Sequence, residues 1–155
     1  MATTTATTTA TTTKATQGFS EAEVAAMKAR AAELRAEGKK GSKLADGLEQ
    51  VLEAIEKMTP EVRALAERVH VTVTEAAPEL APKTWYGMPA YANADGKVVC
   101  YFKNADKFGE RYSVLGFEGA AHLDDGDLWP TVFAVVSWTP AVERKVADLV
   151  RTAVS

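Results

Sequence analysis

The feature that most constrains this chain is a change in the period of its apolar residues at Pro82. Before it, three sets recur at the three- and four-residue spacing of a helix face: Val24, Met27, Ala31 and Leu34; Leu44, Leu48, Val51, Leu52, Ile55 and Met58; Val62, Leu65, Val69 and Val73. After it, Thr84 to Tyr86, Lys97 to Phe102, Arg111 to Phe117 and Thr131 to Trp138 are dense in β-branched and aromatic residues, and turn-forming polar segments separate them. Helical spacing returns once, in Val142, Val146, Leu149, Val150 and Ala153. Three helices, four or five strands and a last helix, with short links between neighbouring strands, predict an α+β fold. Its sheet is largely antiparallel, with helices over one face.

Local punctuation places the elements. Ser20 followed by Glu23 is a capping box, with Phe19 and Val24 in the positions of a hydrophobic staple, and Gly38 ends the first helix. Its stripe is thin and Ala-rich, so this helix packs lightly on the body or on another chain. Lys39, Lys40 and Gly41 form a basic linker to a second helix over residues 43–58. Thr59-Pro60 and Thr139-Pro140 each read as an N-cap followed by proline at the first helical position. The β-branched run Val71-Thr72-Val73-Thr74 stays helical, because Val69, Val73 and Ala76 continue the stripe. The strand from Thr84 to Tyr86 is interrupted at Met88-Pro89, resumes at Tyr91 and Ala92, and turns back at Asp95-Gly96. A polar loop spans 103–109 and an acidic loop 118–127. The organisation is a disordered Ala/Thr tail over 1–18, a helix with its linker over 19–41, and an α+β domain over 42–155.

Several function classes are excluded by composition. At 155 residues, 46% hydrophobic and 25% charged, the chain fits one globular domain. A net charge of −3 recruits neither nucleic acid nor an anionic membrane. The basic residues Lys28, Arg30 and Arg35 are interleaved with Glu21, Glu23, Glu33 and Glu37, the pattern of a solvated helix, which argues against a nucleic-acid partner. No apolar run approaches the roughly 20 residues that cross a bilayer. Cys100 is the single cysteine, which excludes an intramolecular disulfide and points to a reducing, cytoplasmic compartment. Nothing pairs His70, His122 or Cys100 into a catalytic arrangement, so the expectation is a protein that is not an enzyme and has no resident cofactor.

Two constellations stand out. Trp85, Tyr86, Met88, Pro89 and Tyr91, with Tyr101 on the paired strand, either fill the core between sheet and helices or wall a ligand pocket whose mouth Pro89 opens. Glu118, His122, Asp124, Asp125 and Asp127 offer oxygen and imidazole donors to a hard cation, although their spacing is not that of an EF-hand.

The run Thr84-Trp85-Tyr86-Gly87-Met88-Pro89-Ala90-Tyr91 resembles the YdhG-like domain family, as do Gly96-Lys97-Val98-Val99, Tyr101-Phe102, Leu115-Gly116-Phe117, Leu123-Asp124-Asp125-Gly126 and Trp129-Pro130. The resemblance covers roughly Leu44 to Ser155, and the first helix looks like an extension. It implies a bacterial cytoplasmic two-layer α+β sandwich of unsettled activity. Some members are labelled iron chaperones or frataxin-like, which implies iron as a possible ligand of exposed carboxylates, including Glu49, Glu53 and Glu56. Three readings stand at this level: a non-catalytic binder of a small molecule or protein partner at the Trp85–Tyr91 surface, an iron carrier, and a domain whose first helix is a docking arm. Oligomeric state is left open.

Overall fold

The computed structural model describes residues 19–37 and 44–155, so the Ala/Thr tail, Gly38 and the basic linker lie outside the described residues. The elements run α1 (Glu21–Glu37), α2 (Leu44–Glu56), α3 (Pro60–Ala76), β1 (Ala81–Trp85), β2 (Met88–Ala92), β3 (Val98–Lys103), α4 (Ala105–Phe108), β4 (Ser113–Phe117), β5 (Val132–Val135) and α5 (Pro140–Val154). The strands form one antiparallel meander in chain order, the α+β sandwich that the change of period predicts.

Register assigns the faces. The pairs Tyr91↔Cys100, Cys100↔Phe117, Phe102↔Leu115, Leu115↔Phe133 and Ser113↔Val135 put these residues on one side of the sheet. Val51, Ile55, Val62, Val69, Val73, Val146 and Val150, from α2, α3 and α5, pack onto that side as a single core. The β-branched end of α3 is helical because Val69 and Val73 continue the buried stripe, and its threonines find partners within the helix: Thr72 Oγ1 donates to the Arg68 carbonyl at 2.7 Å and Thr74 Oγ1 to that of His70 at 2.8 Å. Thr139 caps α5 as expected, its hydroxyl accepting from the Val142 amide at 3.2 Å.

Several expectations are corrected. The interruption at residues 86–89 is a hairpin, not a break in one strand: Trp85 pairs with Met88, and Tyr86 and Gly87 both have positive φ, 52° and 76°, the pattern of a type I′ turn. Trp85 and Met88 close this two-residue turn as a hydrogen-bonded pair, so the nitrogen of Pro89 faces away from β1, toward β3. With no hydrogen to donate there, the β2–β3 ladder stops at Ala90↔Tyr101, and Phe102 and Lys103 pair with β4 alone. Residues 103–109 are not all loop. Asn104 Oδ1 accepts from the amides of Asp106 and Lys107, at 3.0 and 3.3 Å, and Gly109 closes the short α4 in a left-handed conformation. Thr59 does occupy the N-cap position of α3, but its hydroxyl donates to Asp106 Oδ2 at 2.6 Å instead of capping.

The helix faces also differ from the reading by periodicity. On α2, Val51 and Ile55 are buried, as is Met58 just beyond its end, while Leu48 and Leu52 are exposed. The helix approaches β1 so closely that a Cβ on Gly47 would overlap the Pro82 carbonyl, and this tilts its contact face toward the glycine. On α1 the face turned to the body is Ala22, Ala26, Ala29, Arg30 and Glu33, whereas Ala31 and Leu34 are exposed and Met27, 40% exposed, borders only the second face of the sheet. Nor do helices cover one face only. α1 contacts β1 and α4 and crosses the tip of the β1–β2 hairpin, one flank toward α2 and the other over Trp85 and Tyr101 on the second face of the sheet. Among the described residues no helix is long and apolar enough to cross a membrane.

Candidate functional site

Hairpin, α1, α2 and α4 together border a solvent-open cavity of about 800 Å³. Its apolar wall is Met58, Met88, Pro89, Phe102 and Phe108. Its polar rim holds Gln50 and Glu53 from α2, Lys57 just after it, and Asp106 and Lys107 from α4. Each wall has a local cause. Pro89 ends the ladder and leaves a gap above Phe102, the gap that α4 and its lysine then border. Thr84 Oγ1 donates to Gln50 Oε1 at 3.2 Å, tying hairpin to α2, and the Thr59–Asp106 bond ties the start of α3 to α4.

Glu33 holds α1 across this cavity. Its Oε2 accepts from the Tyr86 amide and its Oε1 from the Gly87 amide, both at 3.0 Å. Only 9% of its side chain is exposed, and Arg30 Nη1 stands 3.5 Å away. A carboxylate gripping two neighbouring amides is a charge-assisted, bidentate contact. It fixes a turn that costs about 1–2 kcal/mol for a bulky residue with positive φ such as Tyr86. The Tyr86 ring is held edge-on to Trp85, centroids 5.0 Å apart, with the Arg30 guanidinium 5.8 Å from its own centroid. Alternation of Glu and Lys/Arg along α1 reads as a solvated helix, and Glu33 corrects that reading. Its partners lie more than fifty residues further on, so no local signal marks it.

A second cleft of about 400 Å³ lies on the other flank of α1, between Phe19, Ala26 and Met27 and the second face of the sheet. The site residues expected from sequence divide between the two. Met88 lines both, Pro89 the larger, and Trp85, Tyr86 and Tyr101 the smaller. Trp85 and Tyr101 are in ring contact at 5.4 Å, and Tyr101 lies across Gly116, where any Cβ would collide with its ring. Burial and the neighbouring Glu118 carboxylate push the Tyr101 phenol above its ordinary pKa.

Tyr91 is not part of this surface. At 1% exposure it belongs to the core, its hydroxyl 2.8 Å from His70 Nδ1. Burial, with a smaller contribution from Cys100, raises its pKa well above 10, so the phenol keeps its proton. Burial lowers the His70 pKa. Cys100 is buried and pushed up to about 12, which leaves an inert thiol.

The acidic residues are spread out. Glu118 borders the smaller cleft. His122 is tied to the end of α5, its Nδ1–H donating to the Ser155 backbone oxygen at 2.9 Å. Asp124 and Asp125 line a separate depression with Trp129 and Lys145, and Asp127 is exposed beyond them. Among the described residues no three His, Cys, Asp or Glu side chains come together as a metal-ligating group. Comparison of the chain with protein-family models, with curated proteins and with solved structures finds no match in any of the three.

Proposed function

We propose that the chain is a non-catalytic binding domain for a small, largely apolar molecule with a polar end, held in the cavity beneath α1. The observation that carries this reading is the cavity itself: about 800 Å³, apolar at Met58, Met88, Pro89, Phe102 and Phe108, and charged at its rim. That size and composition are those of small-molecule sites, which run from about 300 to 1,000 Å³. The ligand's apolar body stacks between Phe108 and the Met88-Pro89 wall, and its polar end reaches Lys57 or Lys107. A binder is favoured over a catalyst because the groups that could do chemistry are engaged elsewhere: His70 is hydrogen-bonded to Tyr91, and Cys100 is sealed in the core. The hairpin that carries the YdhG-like resemblance is one wall of the cavity, and the proposal extends to that membership.

The test is a ligand-observed NMR screen of the full chain with aromatic carboxylic acids and amines, repeated on Ala54→Phe. Ala54 is half-buried on the cavity wall, so the added ring fills the space without entering the sheet–helix core. Fragments that bind the parent should lose at least tenfold in affinity to the filled variant. A parent that binds no fragment, or hits that Ala54→Phe leaves untouched, would defeat the reading.

A further inference from the structure

Of the aromatic rings that border the smaller cleft, two already carry a cation. Arg30 stands 5.8 Å from the Tyr86 centroid, and Lys103 and Lys107 stand 5.1 and 5.5 Å from that of Phe108. Trp85 and Tyr101 have no cation over them among the described residues. Both rings are placed by the sheet. Register puts Ala90, Tyr101 and Gly116 in one row across β2, β3 and β4, so the Tyr101 ring has the smallest neighbours and lies over Gly116. The Trp85 plane is tilted 55° to it, so the two form an open angle instead of a stack. Phe19, 52% exposed, stands at the α1 side of the same cleft. The charge around these rings is negative. Glu23, Glu110 and Glu118 border the cleft against one cation, Lys103, whose Nζ is held by Glu110 Oε1 at 3.2 Å beside Phe108. The Glu23 and Glu118 carboxylates have no ion-pair partner among the described residues. Arg30, Lys83 and Lys97 border a neighbouring depression that shares Trp85 and Glu118, and none of them comes within ion-pair distance of Glu118.

We propose that this cleft takes a quaternary ammonium group, seated against Trp85 and Tyr101 with Glu23 and Glu118 as counter-charges. The face of an aromatic ring is negative and attracts a cation, most strongly at tryptophan. A fully methylated head suits such a site better than a primary ammonium, because it has no N–H to leave unpaired against the rings. The two free carboxylates supply the sign, and their charge is felt at the rings: Glu118 is one reason the Tyr101 phenol holds its proton above its ordinary pKa, after burial. The same head group occurs on a free molecule such as choline and on a trimethylated lysine side chain, and a solvent-open cleft of about 400 Å³ admits either. The inference does not rest on the function proposed for the larger cavity, whose rim offers Lys57 and Lys107 to a ligand of the opposite charge.

Choline chloride and a blocked trimethyl-lysine, titrated into the full chain at constant ionic strength, should shift the Trp85 indole N–H and the Tyr101 amide in NMR spectra. The tighter of the two identifies the source of the head group. The neutral isostere of choline, with a quaternary carbon in place of the nitrogen, should bind at least tenfold more weakly, since it keeps the shape and loses the charge. Glu118→Gln, at an exposed position, should weaken the bound ammonium about threefold, and Trp85→Leu at least tenfold. If the tryptophan variant fails to fold, the isostere and Glu118→Gln decide. Ala54→Phe, which fills the larger cavity, should leave ammonium binding unchanged, so the two readings fail separately. The inference is overturned if neither compound binds at tens of millimolar, or if the neutral isostere binds as well as choline. A folded Trp85→Leu chain or a Glu118→Gln chain that binds like the parent would also overturn it.

Discussion

Single side chains decide two properties of this protein, and they differ in how far sequence reveals them. Ser20 and Glu23 are legible because their contact is local: the Glu23 amide donates to Ser20 Oγ at 3.1 Å, as the capping box requires. Tyr91 is not, because an aromatic beside a proline reads equally well as pocket or core. Its burial against His70 makes it core, and that contact has a pH consequence. The folded-state pKa of His70 lies below its unfolded value near 6.5, so between the two the unfolded chain holds a proton that the folded chain does not. Stability therefore falls as pH drops through about 6.5 toward the lowered value and levels off beneath it. Urea denaturation at about pH 7.5 and pH 5 should show this loss in the parent, and His70→Gln, which keeps an acceptor without the titration, should flatten it. An unchanged slope in the variant would assign the pH dependence to other groups.

Elements follow the period of their apolar residues, but which stripe each buries is set by approach distance. α2 is the clearest case. Its Leu48 and Leu52 fit the apolar repeat, yet the helix turns them outward because Gly47 lets its backbone press onto Pro82. This reverses the usual sign of a helix substitution. Replacing a helical glycine by alanine ordinarily stabilises by about 0.5–1 kcal/mol. Here Gly47→Ala drives a methyl into a backbone carbonyl, and the expected outcome is destabilisation on the order of 1–3 kcal/mol, read as a lower urea midpoint. A variant as stable as the parent would mean that α2 lifts off β1 at little cost. α1 shows the same principle without a glycine. Its alanines and Glu33 face the body because the hairpin tip offers two amides, and a carboxylate there outweighs the apolar contact that Met27 or Leu34 would make.

At the scale of the molecule, α1 is a cover held on by Glu33, Arg30 and a small alanine face, while the meander and the other long helices share one core. Glu33→Ala removes two charge-assisted hydrogen bonds, and its cost should be local, about 1–3 kcal/mol. Hydrogen exchange should accelerate across residues 21–35 and leave α3, β3 and β4 at parental rates, with both clefts opening together. Uniform acceleration would make α1 part of the cooperative core instead. The order of the long helices and the strands after them, the antiparallel sheet, the caps at Ser20 and Thr139 and the hairpin at Asp95-Gly96 were determined by the sequence alone, because each depends on residues a few positions apart. The Tyr86-Gly87 turn, the face that α1 buries and the cavity beneath it were decided only by tertiary structure. Each depends on groups far apart in the chain competing for the same few backbone donors and the same surface, and no short-range pattern records which of them wins.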